Sequence, residues 1–348
     1  MNTPSEDKLD RTSIPDELVQ SGENGNQSRK IIEEYISAAS IRSLRHFSGD
    51  LSLIEVNSII NKCRYINKFF EACNRALMDD GSINIRFETK DQRKHRILAE
   101  NLWGLNWVLL LLDFVFHRAA PKVTLSKAMY FWLTHGKRRV LSKTEVLGRM
   151  ICCGFDIESY ETGNTCDTVV AVKKREPKYD PNPTYGPLIS LKRLGKGGKL
   201  ISVYKIRTMH PFSEYLQSYV MANNGLAEGG KFNEDFRITR WGRFLRKTWL
   251  DELPMILNWL NGDLKLVGVR PISSHYYSLY PEDLQNMRKH VKPGLLPPYY
   301  ADLPSTLEEI IESERRYLLA SKEHRIWTDV RYGARICWNI FFRGKRSQ

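Results

Sequence analysis

DFRITRWGRFLRKTWLDELPMILNWLNGDLKLVGVRP, residues 235–271, is the stretch that decides the fold of the C-terminal half. It sets a group of basic residues before the acidic pair Asp251-Glu252, and an apolar run begins at about Pro254. Proline is favourable in the first turn of a helix, so both carboxylates are expected at a helix N-terminus. The basic residues are Arg237, Arg240, Arg243, Arg246 and Lys247.

The acidic pair has two interpretations. In the first, Asp251 caps the helix and the arginines form a solvated face. In the second, the arginines and the helix N-terminus bind phosphate, and they keep a carboxylate in the ionised form that attacks phosphorus. The sequence around the pair favours the second interpretation.

Upstream, two apolar-rich runs, Leu188–Leu194 and Leu200–Arg207, are joined by GKGGK and predict a β-hairpin. A phosphate-binding loop is the alternative. It fails on spacing, because no glycine stands five residues before Gly198 and Leu200 replaces the required hydroxyl residue. Downstream, a helix is predicted over Thr306–Tyr317, and an amphipathic helix over Trp327–Phe342 belongs either at a membrane interface or in a core.

Four blocks in this order resemble the bacterial sugar transferases called monotopic phosphoglycosyl transferases: GPLISLKRLGKGGKLISVYKIRTM, DFRITRWGRFLRKTWLDELP, GDLKLVGVRP and VKPG. The resemblance covers roughly residues 186–345. It implies transfer of a phosphosugar from a UDP-sugar to polyprenyl (undecaprenyl) phosphate at the cytoplasmic face of a bacterial inner membrane. The product would be the first lipid-linked intermediate of a surface polysaccharide such as capsule, exopolysaccharide or lipopolysaccharide.

The same resemblance implies roles for individual residues. Asp251 matches the nucleophile that attacks the β-phosphate, releases UMP and carries the phosphosugar until polyprenyl phosphate removes it. Glu252 matches the second carboxylate, so Asp251 and Glu252 together are the predicted Mg²⁺ ligands. Arg246 and Arg270 match positions that grip phosphate oxygens, a task suited to a planar, permanently charged guanidinium.

Other positions of this sequence match the family's motifs less closely. Lys205 and Arg207, in the YKIRTM block, are predicted phosphate contacts, with a structural salt bridge as the alternative for each. Pro271 belongs to the uridine-side Pro-Arg-Pro element of the family, but Val269 stands in place of its first proline. VKPGLLPPYYA replaces the usual VKPGITGWAQV, so residues 297–300 are expected to shape a different acceptor or sugar pocket.

Composition limits the partners. The chain has 348 residues, of which 42% are hydrophobic and 27% are charged, and a net charge of +13 that implies an anionic partner. No nucleic-acid-binding motif is visible, so nucleic acid is not expected. The six cysteines match neither a disulfide framework nor a metal-binding pair, and no secretory signal opens the chain, so a cytoplasmic working surface is expected.

Three segments are predicted: a disordered tail at residues 1–29, an α/β region at 30–178 and the sugar transferase domain at 179–348, which the proline-rich linker YDPNPTYGP opens. Within the second segment, helical spacing over Ile31–Phe70 predicts at least two amphipathic helices. The remaining predicted elements are a turn at Asp79–Ser82, a strand at Ile83–Phe87, a helix over Leu141–Phe155 capped by Ser142, and a strand at Thr168–Lys173.

The most apolar part of the chain is a predicted hydrophobic helical hairpin over residues 102–133, broken at Pro121. Its first run, Leu102–Phe116, is about 22 Å long as a helix, too short to cross the ~30 Å hydrocarbon core. Either the hairpin enters one leaflet or it is a buried core element. The tryptophans and the basic residues 137–139 favour membrane contact. Family members carry a membrane helix just before the first block, where this chain has KKREPKYDPNPTY, so we expect the hairpin to provide the membrane attachment.

Without the hairpin, residues 55–173 weakly resemble the last third of a Rossmann-like methyltransferase. No GxGxxG loop precedes them, so the region is interpreted as degenerate or structural. Two other functions stay open: an S-adenosylmethionine-dependent methyltransferase and a non-catalytic membrane scaffold for polysaccharide assembly. The expected fold class is α/β, with a degenerate Rossmann-like region before a catalytic domain built from a β-hairpin and helices.

Overall fold

In a computed structural model, the chain is described over residues 29–32, 38–122, 124–135, 138–178, 186–224 and 235–342. It divides into two compact units, Met1–Pro181 and Asn182–Gln348, and the division falls inside the proline-rich segment 179–187. The predicted disordered tail, residues 1–29, lies outside the described residues except for Arg29, which begins a strand.

The first unit contains a five-stranded mixed sheet. Its strands are β1 (Arg29–Ile32), β2 (Leu51–Ile59), β3 (Leu77–Phe87), β4 (Phe155–Glu161) and β5 (Asp167–Lys173). The strand order is β1-β2-β3-β5-β4, with the first three strands parallel and β5 antiparallel to both of its neighbours. Its helices are α1 (Ala38–Leu44), α2 (Ile66–Ala76), α3 (Lys90–Glu100), α4 (Leu105–Asp113), α5 (Thr124–Thr134) and α6 (Lys143–Cys152).

The region before Phe70 differs from its prediction. Two helices are present, α1 and α2, but strand β2 lies between them where helical spacing was read. Ile54, Val56 and Ser58 are buried and alternate with half-buried or exposed residues, but register irregularities at both ends of the strand confine this alternation to its middle. The β-branched residues of LSLIEVNSI are the signal that favoured a strand. Strand β4 was not predicted either.

The predicted turn at Asp79–Ser82 is also wrong as a connection between elements, because β3 begins at Leu77 and runs through it. The register with β2 jumps from Leu51 opposite Leu77 to Leu53 opposite Ser82, so the DDG sequence forms a bulge. Asp80 has φ = +63°, a left-handed conformation that aspartate tolerates better than most residues. The turn-forming residues therefore mark an irregularity inside a strand.

Other local predictions in this unit are confirmed. The Ser142 hydroxyl accepts a hydrogen bond from the Glu145 amide at 3.2 Å and so caps α6, and β5 covers the strand predicted at 168–173. The apolar segment is helical and broken where proline predicted it: α4 continues into a π-helix at Phe114–Ala119 and a 3₁₀ turn at Ala120–Lys122. None of the described helices is both long and apolar enough to span a membrane.

The second unit is mainly helical and contains two small sheets. Its strands are β6 (Leu188–Leu194), β7 (Leu200–Ile206), β8 (Lys265–Val267) and β9 (Gly294–Leu296). The hairpin of β6 and β7 is antiparallel, as predicted, whereas β8 and β9 are parallel. Its helices are α7 (Gln217–Asn224), α8 (Arg240–Thr248), α9 (Met255–Leu260), α10 (Ser274–Ser278), α11 (Glu282–Lys289), α12 (Tyr299–Asp302), α13 (Leu307–Glu323) and α14 (Arg325–Phe341).

Helices α13 and α14 confirm the two C-terminal predictions, and Thr306 caps α13 through its side chain. The core interpretation is confirmed for part of the apolar residues of helix α14, and the membrane-interface interpretation stays a prediction. Tyr332 and Ile336 are buried in the core of the unit with Leu284 and Tyr317, while Trp327, Val330, Trp338 and Phe342 are exposed. This core supports the loops that carry Arg270 and Tyr299.

Candidate functional site

The β6–β7 hairpin supplies one wall of a cavity. Its register sets Arg193 opposite Ile201 and Ile189 opposite Lys205, so that Arg193 and Lys205 project from the same face. Asn258 of α9 fixes this hairpin from the side, because its amide donates to the Ser202 carbonyl at 2.7 Å and accepts from the Tyr204 amide at 3.0 Å. The turn that precedes α9 is therefore held against β7.

That turn carries the acidic pair. Helix α8 ends at Thr248, Trp249 adopts a left-handed conformation with φ = +62°, and Leu250–Glu252 form a 3₁₀ turn. Helix α9 then begins at Met255, and no side chain caps it. The interpretation of Asp251 as a helix cap is therefore wrong. The carboxylates lie one turn before α9 rather than in its first turn.

A cavity of about 240 Å³ opens beside this turn. It combines cationic, apolar and aromatic side chains, and Glu252 is the carboxylate that lines it. Its lining residues are Arg193, Val203, Lys205, Glu252, Met255, Arg270, Pro271, Ile272, Ser273, Tyr276, Leu295, Pro297 and Tyr299.

The two carboxylates have different surroundings. Glu252 accepts a hydrogen bond from the Lys205 ammonium at 2.6 Å, whereas Asp251 forms no ion pair with any residue of the described chain. Partial burial, and then the negative charge of Glu252, raise the pKa of Asp251, while Lys205 and Arg246 act in the opposite direction. Of the two carboxylates, Asp251 is therefore the less restrained.

Arg246 approaches Asp251 from the last turn of α8. Its Nε donates to the Thr208 hydroxyl at 3.0 Å, and burial lowers its pKa while Asp251 raises it. Gly242 allows α8 to lie this close, because a Cβ atom there would stand 1.9 Å from the Thr208 carbonyl oxygen. Thr208 therefore fixes both the helix and the direction of its arginine.

Two further guanidinium groups face the cavity. Burial, followed by the like charge of Arg270, lowers the pKa of Arg193, so these two arginines repel each other. Arg270 stacks over Tyr299, with 5.6 Å between its Cζ and the ring centroid. Its backbone carbonyl accepts from the guanidinium of buried Arg288, which is paired with buried Glu314. Neither arginine forms an ion pair with a residue that the structure describes, so this pair of guanidinium groups is suited to a phosphate or diphosphate.

The cavity brings together Lys205, Glu252, Arg270 and Pro271 of the predicted site, with Asp251 and Arg246 beside it. Arg207 does not line it. Its Nε donates to the Gly186 carbonyl at 2.9 Å, a contact that holds the entry to β6. The phosphate contact of Arg207 stays a prediction.

Sequence reasoning missed three lining residues that carry polar side-chain groups, Arg193, Ser273 and Tyr276, as well as several apolar ones. The register of the predicted hairpin would have found Arg193, because a symmetric hairpin around GKGGK pairs Arg193 with Ile201 and so sets it on the face of Lys205. No comparable signal exists for Tyr276, which reaches the cavity only through the packing of α10.

A metal site can be tested against these residues. The described part of the chain holds no group of three or more histidine, cysteine or acidic side chains arranged around one point. Magnesium commonly binds through one or two carboxylates together with substrate phosphates, and it needs no larger cluster. The neighbouring Asp251 and Glu252, whose repulsion a divalent cation would relieve, fit that pattern.

Residues 182–343 match the protein family described as "Bacterial sugar transferase". Galactosyl transferase CpsE of Streptococcus agalactiae serotype III is 33% identical over 151 residues, 42% of this chain and 33% of that relative. Undecaprenyl-phosphate galactose phosphotransferase of Salmonella typhimurium is 41% identical over 116 residues, 32% of this chain and 24% of the relative. UDP-glucose:undecaprenyl-phosphate glucose-1-phosphate transferase of Escherichia coli K12 is 31% identical over 176 residues, which are 48% of this chain and 33% of that relative. The chain thus spans at most a third of these relatives.

Proposed function

Because residues 182–343 belong to the bacterial sugar transferase family, we propose that this unit transfers a phosphosugar from a UDP-sugar to polyprenyl (undecaprenyl) phosphate. The observation that carries the proposal is Asp251, a half-buried carboxylate without an ion-pair partner in the described chain, beside a cavity that holds Arg193, Arg270 and Lys205. Carboxylates of this kind act as nucleophiles toward phosphorus.

In the first step an Oδ atom of Asp251 attacks the β-phosphorus of the UDP-sugar. The bond from this phosphorus to the oxygen that bridges the two phosphates breaks, and UMP leaves with the electron pair. In the second step a phosphate oxygen of polyprenyl phosphate attacks the same phosphorus, and Asp251 departs as a carboxylate. The raised pKa of Asp251 makes it a better nucleophile than an ordinary aspartate once it is ionised.

The cationic residues of the site have separate roles in binding and in charge stabilisation. Arg193 and Arg270 bind the oxygens of the diphosphate, and Arg246 faces the charge that develops near Asp251. Glu252 and Asp251 are the residues that would hold Mg²⁺, which supplies neutralisation of the diphosphate and stabilises the departing UMP. Lys205, which donates to Glu252, keeps that carboxylate oriented.

The acceptor requires an apolar surface, and α9 offers one next to the carboxylates. Leu257 and Leu260 are more than half exposed, and Leu253 and Ile256 lie nearby with exposed side chains. A polyprenyl chain would cover these residues while its phosphate approaches Asp251. Since such an acceptor resides in a bilayer, we propose that the protein works at the cytoplasmic face of a bacterial inner membrane and begins a surface polysaccharide.

The decisive experiment separates the two half-reactions. Membrane-reconstituted protein is incubated with Mg²⁺ and a panel of UDP-sugars, first without and then with undecaprenyl phosphate, and UMP release and intact mass are measured. One UDP-sugar is expected to add one phosphosugar to the protein without acceptor, and to turn over repeatedly with it. Asp251→Asn should abolish both signals, whereas Asp283→Asn, a surface aspartate paired with Arg315, should retain them.

Two results would overturn this proposal. Full turnover by Asp251→Asn would exclude the covalent mechanism. Failure of every UDP-sugar to release UMP from folded wild-type protein would exclude the transferase activity and favour a scaffold for polysaccharide assembly.

A further inference from the structure

The apolar segment of the first unit is not covered by the rest of that unit. Trp103 is 91% exposed and Trp132 is 75% exposed, which is unusual for the largest apolar side chain. The other large apolar side chains exposed along this segment are Leu102, Leu105, Trp107, Val108, Leu111, Leu112, Phe114, Val115, Phe116, Met129 and Leu133. Exposed large apolar side chains concentrated along one segment mark an interaction surface.

The one charged residue of α4 is directed away from the patch. Asp113 is the one charged residue from Leu105 to Phe116, and its carboxylate accepts from Arg93 Nε at 3.0 Å through both oxygens. Arg93 is itself buried and also donates to the Arg138 carbonyl at 3.2 Å. The exposed side of α4 is therefore free of charge, as insertion into hydrocarbon requires.

A cavity of about 570 Å³ adjoins this segment on its protein side. Leu109, Leu112 and Phe116 form its apolar wall, and Asn61 and Glu88, which follow strands β2 and β3, form its base. Ligands of open α/β sheets bind at this edge, where parallel strands end. The cavity thus joins an apolar wall, shared with the patch, to a polar base.

The polar side of the cavity has excess positive charge. Lys62, Arg93, Arg96 and Arg138 line it, against the two carboxylates Glu88 and Asp113. Both carboxylates are already neutralised: Arg96 Nε donates to Glu88 at 2.8 Å, and Arg93 binds Asp113. Lys62 and Arg138 form no ion pair with any residue in the described ranges. They remain available to an anion.

We propose that the first unit binds an anionic phospholipid at the surface of a bilayer, with the apolar patch in the acyl layer of one leaflet and the headgroup phosphate in the cavity beside Lys62 and Arg138. A helix of this length lies in the interface instead of crossing the bilayer. A bilayer supplies both chemistries at once, hydrocarbon for the patch and negative charge for the cavity. A second copy of this chain would bring another cationic cavity and would leave the charge unmatched.

The inference is tested with the purified full chain and sucrose-loaded vesicles, one set of phosphatidylcholine alone and one that also contains phosphatidylglycerol. Leu111→Asp introduces a charge into the patch and is expected to lower the vesicle partition coefficient by at least about thirtyfold. Met78→Asp is the matched control, an equally apolar residue that is exposed outside the patch, and it should bind as the wild type does. No nucleotide sugar is needed, so the outcome does not depend on the transferase activity.

The cavity is tested separately. The double variant Lys62→Gln/Arg138→Gln should lose the preference for phosphatidylglycerol, a drop of roughly thirtyfold for two basic groups at an anionic surface. Arg42→Gln/Arg45→Gln removes the same charge from exposed positions that do not line the cavity, and it should cost less than the cavity variant. Circular dichroism of each variant confirms that the fold is retained.

A third measurement reports the position of the patch directly. Vesicles with brominated acyl chains should quench the tryptophan emission of the wild type, and Trp103→Phe/Trp132→Phe should remove much of that quenching. Wild-type partitioning by Leu111→Asp, or quenching that is unchanged in the tryptophan variant, would overturn the proposal. A wild-type dimer that becomes monomeric in Leu111→Asp, with no vesicle binding by either protein, would assign the patch to a second copy instead.

Discussion

Each unit contains a cavity lined by arginines, with two carboxylates in or beside it and an adjoining apolar helix, but the ion pairing of the carboxylates differs between the units. In the first unit, Glu88 and Asp113 are both held by arginines. In the second, Glu252 is held by Lys205, but Asp251 is left without an ion pair among the described residues. The same residue types therefore produce two kinds of site.

The difference teaches that pairing, more than residue content, decides what a charged cavity can do. A carboxylate with a bidentate arginine has its lone pairs engaged and its charge neutralised, so its contribution is structural. A carboxylate whose pKa is raised by burial and by a like charge is poised to react. Replacing Asp251 should therefore reduce activity, whereas replacing Asp113 should reduce stability.

The largest effect is expected for chemistry in the second unit. Asp251→Asn should lower the rate of UMP release by at least about 10³-fold, because the nucleophile is lost while the binding residues remain. The measurement is the initial rate at saturating UDP-sugar and acceptor. A loss smaller than tenfold would remove the distinction drawn between the two cavities.

The corresponding change in the first unit should affect stability. Asp113→Asn removes the nearer of the two carboxylates beside the buried Arg93, leaving Glu88 at 3.8 Å, and should lower the free energy of unfolding by about 2 kcal/mol. The measurement is urea-induced unfolding of the full chain, monitored by circular dichroism, from which the unfolding transition of this unit is obtained. Asp156→Asn, at an exposed pair with Arg175, serves as control and should change stability by less than about 1 kcal/mol.

A smaller effect concerns pH. In the proposed mechanism Asp251 must be ionised to attack, so activity should rise as pH increases through its pKa, and Lys205 is one of the charges that lower that pKa. Lys205→Met should therefore move the acidic limb of the kcat/KM profile to higher pH. Lys199→Met, in the exposed hairpin loop, should leave the profile unchanged. A shift toward lower pH would contradict the assigned role of Lys205.

The smallest effect is a gain in stability from the loss of the nucleophile. The folded-state pKa of Asp251 is raised above its ordinary value, so folding favours its protonated form. The free energy of unfolding therefore decreases as pH rises through the interval between the two pKa values. At neutral pH, Asp251→Asn should raise the thermal midpoint by a degree or two, in the range that follows from modest ΔΔG values. An unchanged midpoint at acidic pH, where the wild type is protonated, completes the test.

Much of the second unit could be predicted because its signals are local. The β6–β7 hairpin follows from two apolar runs around GKGGK, and the acidic pair follows from its position between basic residues and an apolar helix. The position of Arg193 could have been predicted from the hairpin register. Tyr276 was not, since its approach to the cavity depends on the core that α10 and α11 join.

The first unit was harder to predict because its signals are ambiguous. The apolar residues of β2 fit a helical spacing, and only its partners β1 and β3 fix it as a strand. The run Leu102–Phe116 reads equally well as a core helix, and sequence alone does not show that its outward side is left uncovered. The pairing of Asp113 with Arg93, twenty residues away, likewise has no local signal.

The left-handed Trp249 determines when the site can form. A bulky residue at positive φ carries a backbone strain of about 1–3 kcal/mol and persists only where the surroundings impose it. Here the indole packs against Tyr300, with 4.4 Å between ring centroids, and against the core of the second unit. Tyr300 follows the acidic pair by almost fifty residues, so a nascent chain that has just exposed Asp251 lacks the contact that shapes its turn. The turn that holds Asp251 therefore takes its final shape only after Tyr300 has been synthesised.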